Sequence, residues 1–256
     1  MLLCVDIGNT NVVVGVFSDG KLYKSFRIAT DSKGTKDQYA LLLNGLLRMA
    51  DIGPESISGA CICSVVPPLT DVFERLVSEY FNARVIVVGE KTKTGIMIDY
   101  HTPKDVGADR VVNAVAVHQR YSTCDVIVVD FGTATTLDAV TADGRYVGGV
   151  IVPGINISLE ALYRWTAKLP KVELSRPLSV IGKSTVHSIQ SGVYFGYLAM
   201  VEGLLARMRK ELSEPVRVVA TGGLANLICQ DSAQIDEIDP DLTIKGLKLI
   251  WDMNKD

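Results

Sequence analysis

The strongest constraint on this chain is that it repeats itself once. Leu3-Cys4-Val5-Asp6-Ile7-Gly8-Asn9-Thr10 has the pattern of Ile127-Val128-Val129-Asp130-Phe131-Gly132-Thr133-Ala134: an apolar strand ending in Asp-x-Gly, then small residues. Each copy continues into a second β-rich stretch (12–17 and 135–141). A turn follows, at Asp19-Gly20-Lys21 or Asp143-Gly144-Arg145, and then a third strand (22–28 and 146–152). Asp-Gly between β-rich runs signals a hairpin, because glycine tolerates the positive φ of tight turns. Any fold for this chain must contain that unit twice.

The rest of each half alternates helix and strand. The first half predicts helices over 36–50 and 69–81 and strands over 57–65 and 84–88. The second predicts helices over 155–165 and 186–212, a strand over 216–220 and a helix after Gly223. Residues 105–121, with Val111, Val112, Val115 and Ala116 on one face, read as a helix joining the halves. The apolar tail over 239–256 reads as a docked terminal helix. The expected architecture is α/β: two duplicated domains, residues 1–121 and 122–256, with a cleft between them.

Composition narrows the function classes. Of 256 residues, 48% are hydrophobic and 21% charged, and the net charge is −3, which gives no global attraction to nucleic acid or anionic membrane. The opening apolar run stops at Asp6 without a preceding positive charge, so a signal peptide is not expected. No uninterrupted apolar stretch approaches the ~20 residues of a spanning helix. Cys4, Cys61, Cys63, Cys124 and Cys229 lie mostly in apolar runs and read as buried thiols of a cytoplasmic protein. Cys61 and Cys63 would share one strand face, which is not a zinc spacing.

The duplicated hairpin has a chemical reading. Glycine lets backbone approach a phosphate, and successive N–H groups can converge on its oxygens. Asn9, Thr10, Asn11, Thr133, Thr135 and Thr136 can add donors, and the strand-end Asp can hold a charge-neutralising cation. Once, Asp-x-Gly is an ordinary turn; twice, it suits a triphosphate. A third element, Ala220-Thr221-Gly222-Gly223, runs from a strand through a glycine pair into a helix.

This trio resembles the phosphate 1, phosphate 2 and adenosine motifs of the actin-like ATPase (ribonuclease H-like) superfamily, which includes acetate and sugar kinases. Four segments resemble type III pantothenate kinases more narrowly. They are Asp6-Ile7-Gly8-Asn9-Thr10-Asn11, Gly107-Ala108-Asp109-Arg110-Val111-Val112-Asn113-Ala114, Asp130-Phe131-Gly132-Thr133-Ala134-Thr135-Thr136, and Gly148-Gly149 before Ile151-Val152-Pro153-Gly154. The resemblance implies ATP-dependent phosphorylation of pantothenate, with Mg2+ and a monovalent cation (potassium or ammonium), in a homodimer.

Carried over position by position, it implies ATP contacts from Asp6, Ile7, Gly8, Asn9, Thr10, Asn11, Val12, Val13 and Thr133, and cation binding by Asp130. Pantothenate contacts would come from Tyr100, Gly107, Ala108, Asp109, Arg110 and Thr185, with Asp109 as proton acceptor. The residues alone leave alternatives: Asp109 can be a helix cap, and Arg110 a surface charge or a fork for a carboxylate.

Ile181-Gly182-Lys183-Ser184-Thr185 ends like a Walker A loop, but Pro177 stands where that motif needs glycine. The stripe Gly192, Gly196, Ala199, Gly203 and Ala206 reads either as close intramolecular packing or as a helix-to-helix dimer contact. Rival functions are a sugar kinase or polyphosphate hydrolase of the same superfamily, or a nucleotide-sensing regulator. The latter would be expected to carry a DNA-binding helix pair or basic arm.

Overall fold

The first copy of the repeat folds for reasons visible residue by residue. In this computed structural model, which describes residues 1–213 and 215–255, β1 (Leu2–Ile7) pairs antiparallel with β2 (Asn11–Ser18), and β2 with β3 (Lys21–Ala29). The β2–β3 turn holds Asp19 and Gly20 at φ 50° and 77°. Helix α1 (Lys36–Met49) starts at a reciprocal cap: the Thr35 hydroxyl accepts the Gln38 N–H, and the Gln38 side chain accepts the Thr35 N–H at 2.8 Å. β4 (Gly59–Ser64), α2 (Pro67–Tyr80) and β5 (Arg84–Val87) follow. Two prolines open α2, where first-turn N–H groups have no helical partner to lose. The sheet order is β3-β2-β1-β4-β5, with β4 parallel to both β1 and β5.

β6 (Met97–Ile98) and α3 (Ala108–Arg120) lead into the second copy. There β7 (Asp125–Phe131), β8 (Ala134–Val140) and β9 (Arg145–Pro153) form the antiparallel hairpins, and α4 (Ile155–Arg164) and α5 (Thr185–Met208) come next. β10 (Val216–Thr221), α6 (Ala225–Ile228), β11 (Glu237–Ile238) and α7 (Leu242–Asn254) complete the chain. The second sheet runs β11-β10-β7-β8-β9-β6, with β10 parallel to β7 and β11. Apart from β6, that is the strand order of the first sheet, so the duplication read from the sequence is present in the fold. The expected elements occur within a few residues of their predicted bounds; the two-residue strands β6 and β11 were too short to show a period.

Alternation along β1 decides what each face meets. Leu3, Val5 and Ile7 join Leu43 and Leu47 of α1 and Phe73 of α2. Cys4 lies in the other layer with Cys61 and Cys63, covered by Val112 and Val115 of α3 and Ile244, Leu247 and Ile250 of α7. Gly246 allows α7 to approach α3, since a Cβ there would lie 2.3 Å from the Val112 carbonyl oxygen. In the second sheet, Ile127, Val129 and Phe131 pack with Tyr194, Tyr197, Val201 and Leu205 of α5.

Contacts divide the chain differently from a single cut at 121/122. One unit holds residues 1–96, 101–116 and the segment from Asp241; the other holds Met97–Tyr100 and Val117–Pro240. The division falls inside α3, consistent with a helix that joins the halves. The terminal helix belongs with the first unit, because its apolar side fills the layer around Cys4, Cys61 and Cys63. Tyr100 belongs with the second unit, because β6 pairs with β9.

Candidate active site

In the first unit the site begins at the end of β1. Asp6 and Ile7 alternate, so Ile7 enters the α1/α2 core while Asp6 stays on the cysteine face. The parallel register sets Asp6 opposite Cys63, and the Cys63 thiol donates to Asp6 Oδ1 at 3.2 Å. Burial pushes Asp6 up to about 6; the thiol hydrogen bond opposes this, nearby Asp109 adds to it, and Arg27 opposes it. The same burial, with the Asp6 charge beside it, raises the Cys63 thiol well above its ordinary range.

The turn after Asp6 is closed by the Gly8 N–H donating to the Asn11 carbonyl at 3.0 Å. Thr30, just beyond β3, holds the same turn: its N–H donates to the Thr10 carbonyl at 3.0 Å and its hydroxyl to the Gly8 carbonyl at 2.7 Å. Asn9 and Thr10 at the tip are exposed, whereas Val12 is in the core. Asp109 lies in the first turn of α3 and its Oδ1 accepts the Arg110 N–H at 2.8 Å. A cap-like bond and proximity to Asp6 therefore occur in the same side chain. Arg110 is only 8% exposed, which removes the surface-charge reading.

In the second unit Asp130 ends β7 as Asp6 ends β1. Its parallel partner across β10 is Thr221, which is buried. Gly222 follows at φ +93°, and a Cβ there would lie 2.5 Å from Asp130 Oδ1. The glycine-pair turn thus lies directly against the strand-end carboxylate, and a side chain at 222 would be strained as well as crowded. Thr133 is exposed in the β7–β8 turn. Two expected donors are otherwise placed: Thr135 is buried, and Thr136 gives its hydroxyl to Asp138 Oδ2 at 2.8 Å. Buried Tyr146 donates to the other Asp138 oxygen at 2.8 Å, and Tyr100 packs on Tyr146 with ring centroids 6.3 Å apart. Gly148 lies beside the Tyr100 ring.

Thr185 stands exposed at the first residue of α5, after Ser184, whose hydroxyl accepts the His187 N–H at 3.2 Å. Among the described residues no strand precedes α5 after α4, so the Lys183-Ser184-Thr185 run has no P-loop context. The structure therefore brings Asp6, which leads into the 8–11 turn, near Asp109 in one unit, and Asp130 against Gly222 in the other. Cys63, Thr30 and the Tyr146–Asp138 pair were missed. Their signal is strand register, which residue types do not reveal.

A family model of type III pantothenate kinases matches residues 2–207. The chain belongs to the type III pantothenate kinase family. It is 46% identical to the type III pantothenate kinase of Geobacter sulfurreducens, with all of both chains covered, and 48% identical to that of Myxococcus xanthus, with 99% of each covered. Among solved structures it resembles the ethanolamine utilization protein EutJ from Carboxydothermus hydrogenoformans, with TM-score 0.59 at 14% identity, covering 97% of this chain and 89% of that one. That likeness concerns fold only. The strand order repeated in the two sheets is consistent with a two-domain actin-like fold.

Proposed function

We propose that this protein transfers the γ-phosphoryl group of ATP to the primary hydroxyl of pantothenate, giving 4'-phosphopantothenate at the start of coenzyme A biosynthesis. The observation that carries this reading is the grouping of Asp109 with the Asp6–Val13 hairpin, in a chain of this family. The 8–11 turn offers backbone N–H groups and the Asn9, Thr10 and Asn11 side chains to ATP phosphates; Thr133 adds a contact from the second hairpin. Asp109 accepts the hydroxyl proton as the new P–O bond forms, the task of a positioned base. Buried Arg110 pairs with the pantothenate carboxylate through its planar fork. Pantothenate contacts are also assigned to Tyr100, Gly107, Ala108 and Thr185.

The two strand-end carboxylates, Asp6 and Asp130, are the ligands assigned to the expected cations. One carboxylate at a strand end, with phosphate oxygens and water, matches how Mg2+ is held at nucleotide sites. Asp130 is assigned to the monovalent cation, potassium or ammonium. Bound cations supply charge neutralisation of the triphosphate.

The protein is read as a cytoplasmic homodimer. The five cysteines are free thiols, as in a reducing compartment. The small-residue stripe supports the dimer over close intramolecular packing: a Cβ at Gly192 or Gly196 would meet no atom within 4 Å. Trp165, Leu178 and Ile181 are also highly exposed. Light scattering is expected to give a dimer at micromolar protein; a monomer mass would sink this assignment. The activity is tested by coupled ADP release with pantothenate, with and without potassium. No pantothenate-dependent ADP release under either condition would overturn the function.

A further inference from the structure

We propose that Thr30 is the positioning residue of the ATP-phosphate turn, acting through its hydroxyl on the Gly8 carbonyl. The inference rests on the reading that the Asp6–Val13 hairpin binds ATP phosphates. A turn that receives a polyanion must present N–H groups and keep carbonyl oxygens turned away, because each carbonyl dipole aimed at a phosphate repels it. Two carbonyls of this turn, Gly8 and Thr10, are both engaged by the one residue: Thr30 Oγ1 donates to the first at 2.7 Å and Thr30 N–H to the second at 3.0 Å. Of the other two, the Asn11 carbonyl accepts the Gly8 N–H.

Thr30 is itself held from the core. The next residue, Asp31, gives its N–H to the Tyr39 hydroxyl at 2.8 Å, and that hydroxyl donates back to the Asp31 carbonyl at 3.0 Å. Tyr39 is buried and packs on Phe73 with centroids 4.8 Å apart. A continuous chain of contacts thus runs from the α1/α2 core to the turn, and Thr30 is its last link. Any substitution other than proline keeps the Thr30 N–H, so the hydroxyl is the part of that link a side-chain change removes.

The test compares Thr30→Val, which keeps the β-branched shape and loses the hydroxyl, with Thr30→Ser, which keeps the hydroxyl. In the full chain, Thr30→Val is expected to raise KM for MgATP about three- to tenfold, the worth of one net hydrogen bond. kcat and KM for pantothenate should stay within about twofold, and Thr30→Ser should restore KM for MgATP to within about twofold. A Thr30→Val enzyme with wild-type KM for MgATP overturns the inference, as does a Thr30→Ser enzyme equally impaired. Should the wild type fail to phosphorylate pantothenate, the functional reading falls instead. Calorimetric MgATP binding by the same three proteins then judges Thr30, with the same ordering expected.

Discussion

The two strand-end carboxylates arise from the same repeat and sit in different company. Asp6 faces a thiol on its parallel neighbour, Cys63, and has Asp109 and Arg27 near enough to act on its charge. Asp130 faces Thr221 on its parallel neighbour and lies against the bare backbone of Gly222. Asn9 and Thr10 are exposed at the first turn and Thr133 at the second, while Thr136, farther along β8, gives its hydroxyl to Asp138. Duplication preserved the backbone. The side chains diverged, leaving the first copy beside Asp109 and the second beside the glycine turn.

If that division of labour is right, the largest effect should come from the residue with no counterpart in the second copy. Asp109→Asn keeps the size and an oxygen for the Arg110 N–H, but loses the base. Turnover is expected to fall about 10²–10⁴-fold with ATP binding little changed. A loose transition state would place the loss at the low end, because the attacking oxygen need not be deprotonated early. A purely capping role gives the opposite pattern: normal kcat in Asp109→Asn, and about 1 kcal/mol of stability lost in Asp109→Ala. Measuring kcat, ATP affinity and Tm for both variants breaks or keeps the assignment.

The second copy is tested by its own carboxylate. Asp130→Asn should weaken activation by potassium roughly 10- to 150-fold, the worth of a charged contact. Unchanged potassium activation, or full turnover of the wild type in sodium-only buffer with Mg2+, would count against cation binding at Asp130.

Asp6 offers a contrast in stability. Its carboxyl is raised from 3.8 to about 6 in the fold, so the folded state binds the proton more tightly than the unfolded one. Its contribution is full below about pH 4 and is lost as pH rises through about 6. Relative to wild type, Asp6→Asn without nucleotide should therefore gain stability between pH 4 and pH 7, on the order of 2–3 kcal/mol. A Tm difference that does not change over that range would show that Asp6 is not held against its ionisation.

Much of this was legible before any coordinates. Both hairpins, the helix across residues 105–121 and the docked tail could be read, because apolar alternation and Asp-Gly turns are local signals. Which half the tail docks on was not legible, since Ile244, Leu247 and Ile250 would suit any apolar layer. Arg110 looked like a surface charge as easily as a buried fork, since residue type does not fix burial. Cys63 read as a core thiol, and it is one; that it also touches Asp6 follows only from the parallel β1–β4 register. Thr30 lies twenty residues from the turn it holds, and tertiary hydrogen bonds leave no period in a sequence.

The smallest expected effect isolates that thiol. Cys63 sits between the first sheet and the α3/α7 layer, and its one hydrogen bond to Asp6 is the lowering influence closest to that carboxylate. Cys63→Ser replaces a weak donor by a stronger one of nearly the same size. The ionised form of Asp6 should then be better supported, so the fall in stability between pH 4 and pH 7 should be shallower than in wild type. Cys63→Ala removes the donor and should make the fall steeper, besides lowering stability at every pH by about 1 kcal/mol for the space it leaves. The difference between the two slopes should be about 0.5–1.5 kcal/mol, the net scale of one hydrogen bond. Packing alone shifts all pH values equally and leaves the slopes alike. Parallel Tm-against-pH curves for wild type, Cys63→Ser and Cys63→Ala would reduce the thiol to filler. The contrast between the two carboxylates would then rest on Asp109 and Arg27 beside Asp6 and on Gly222 beside Asp130.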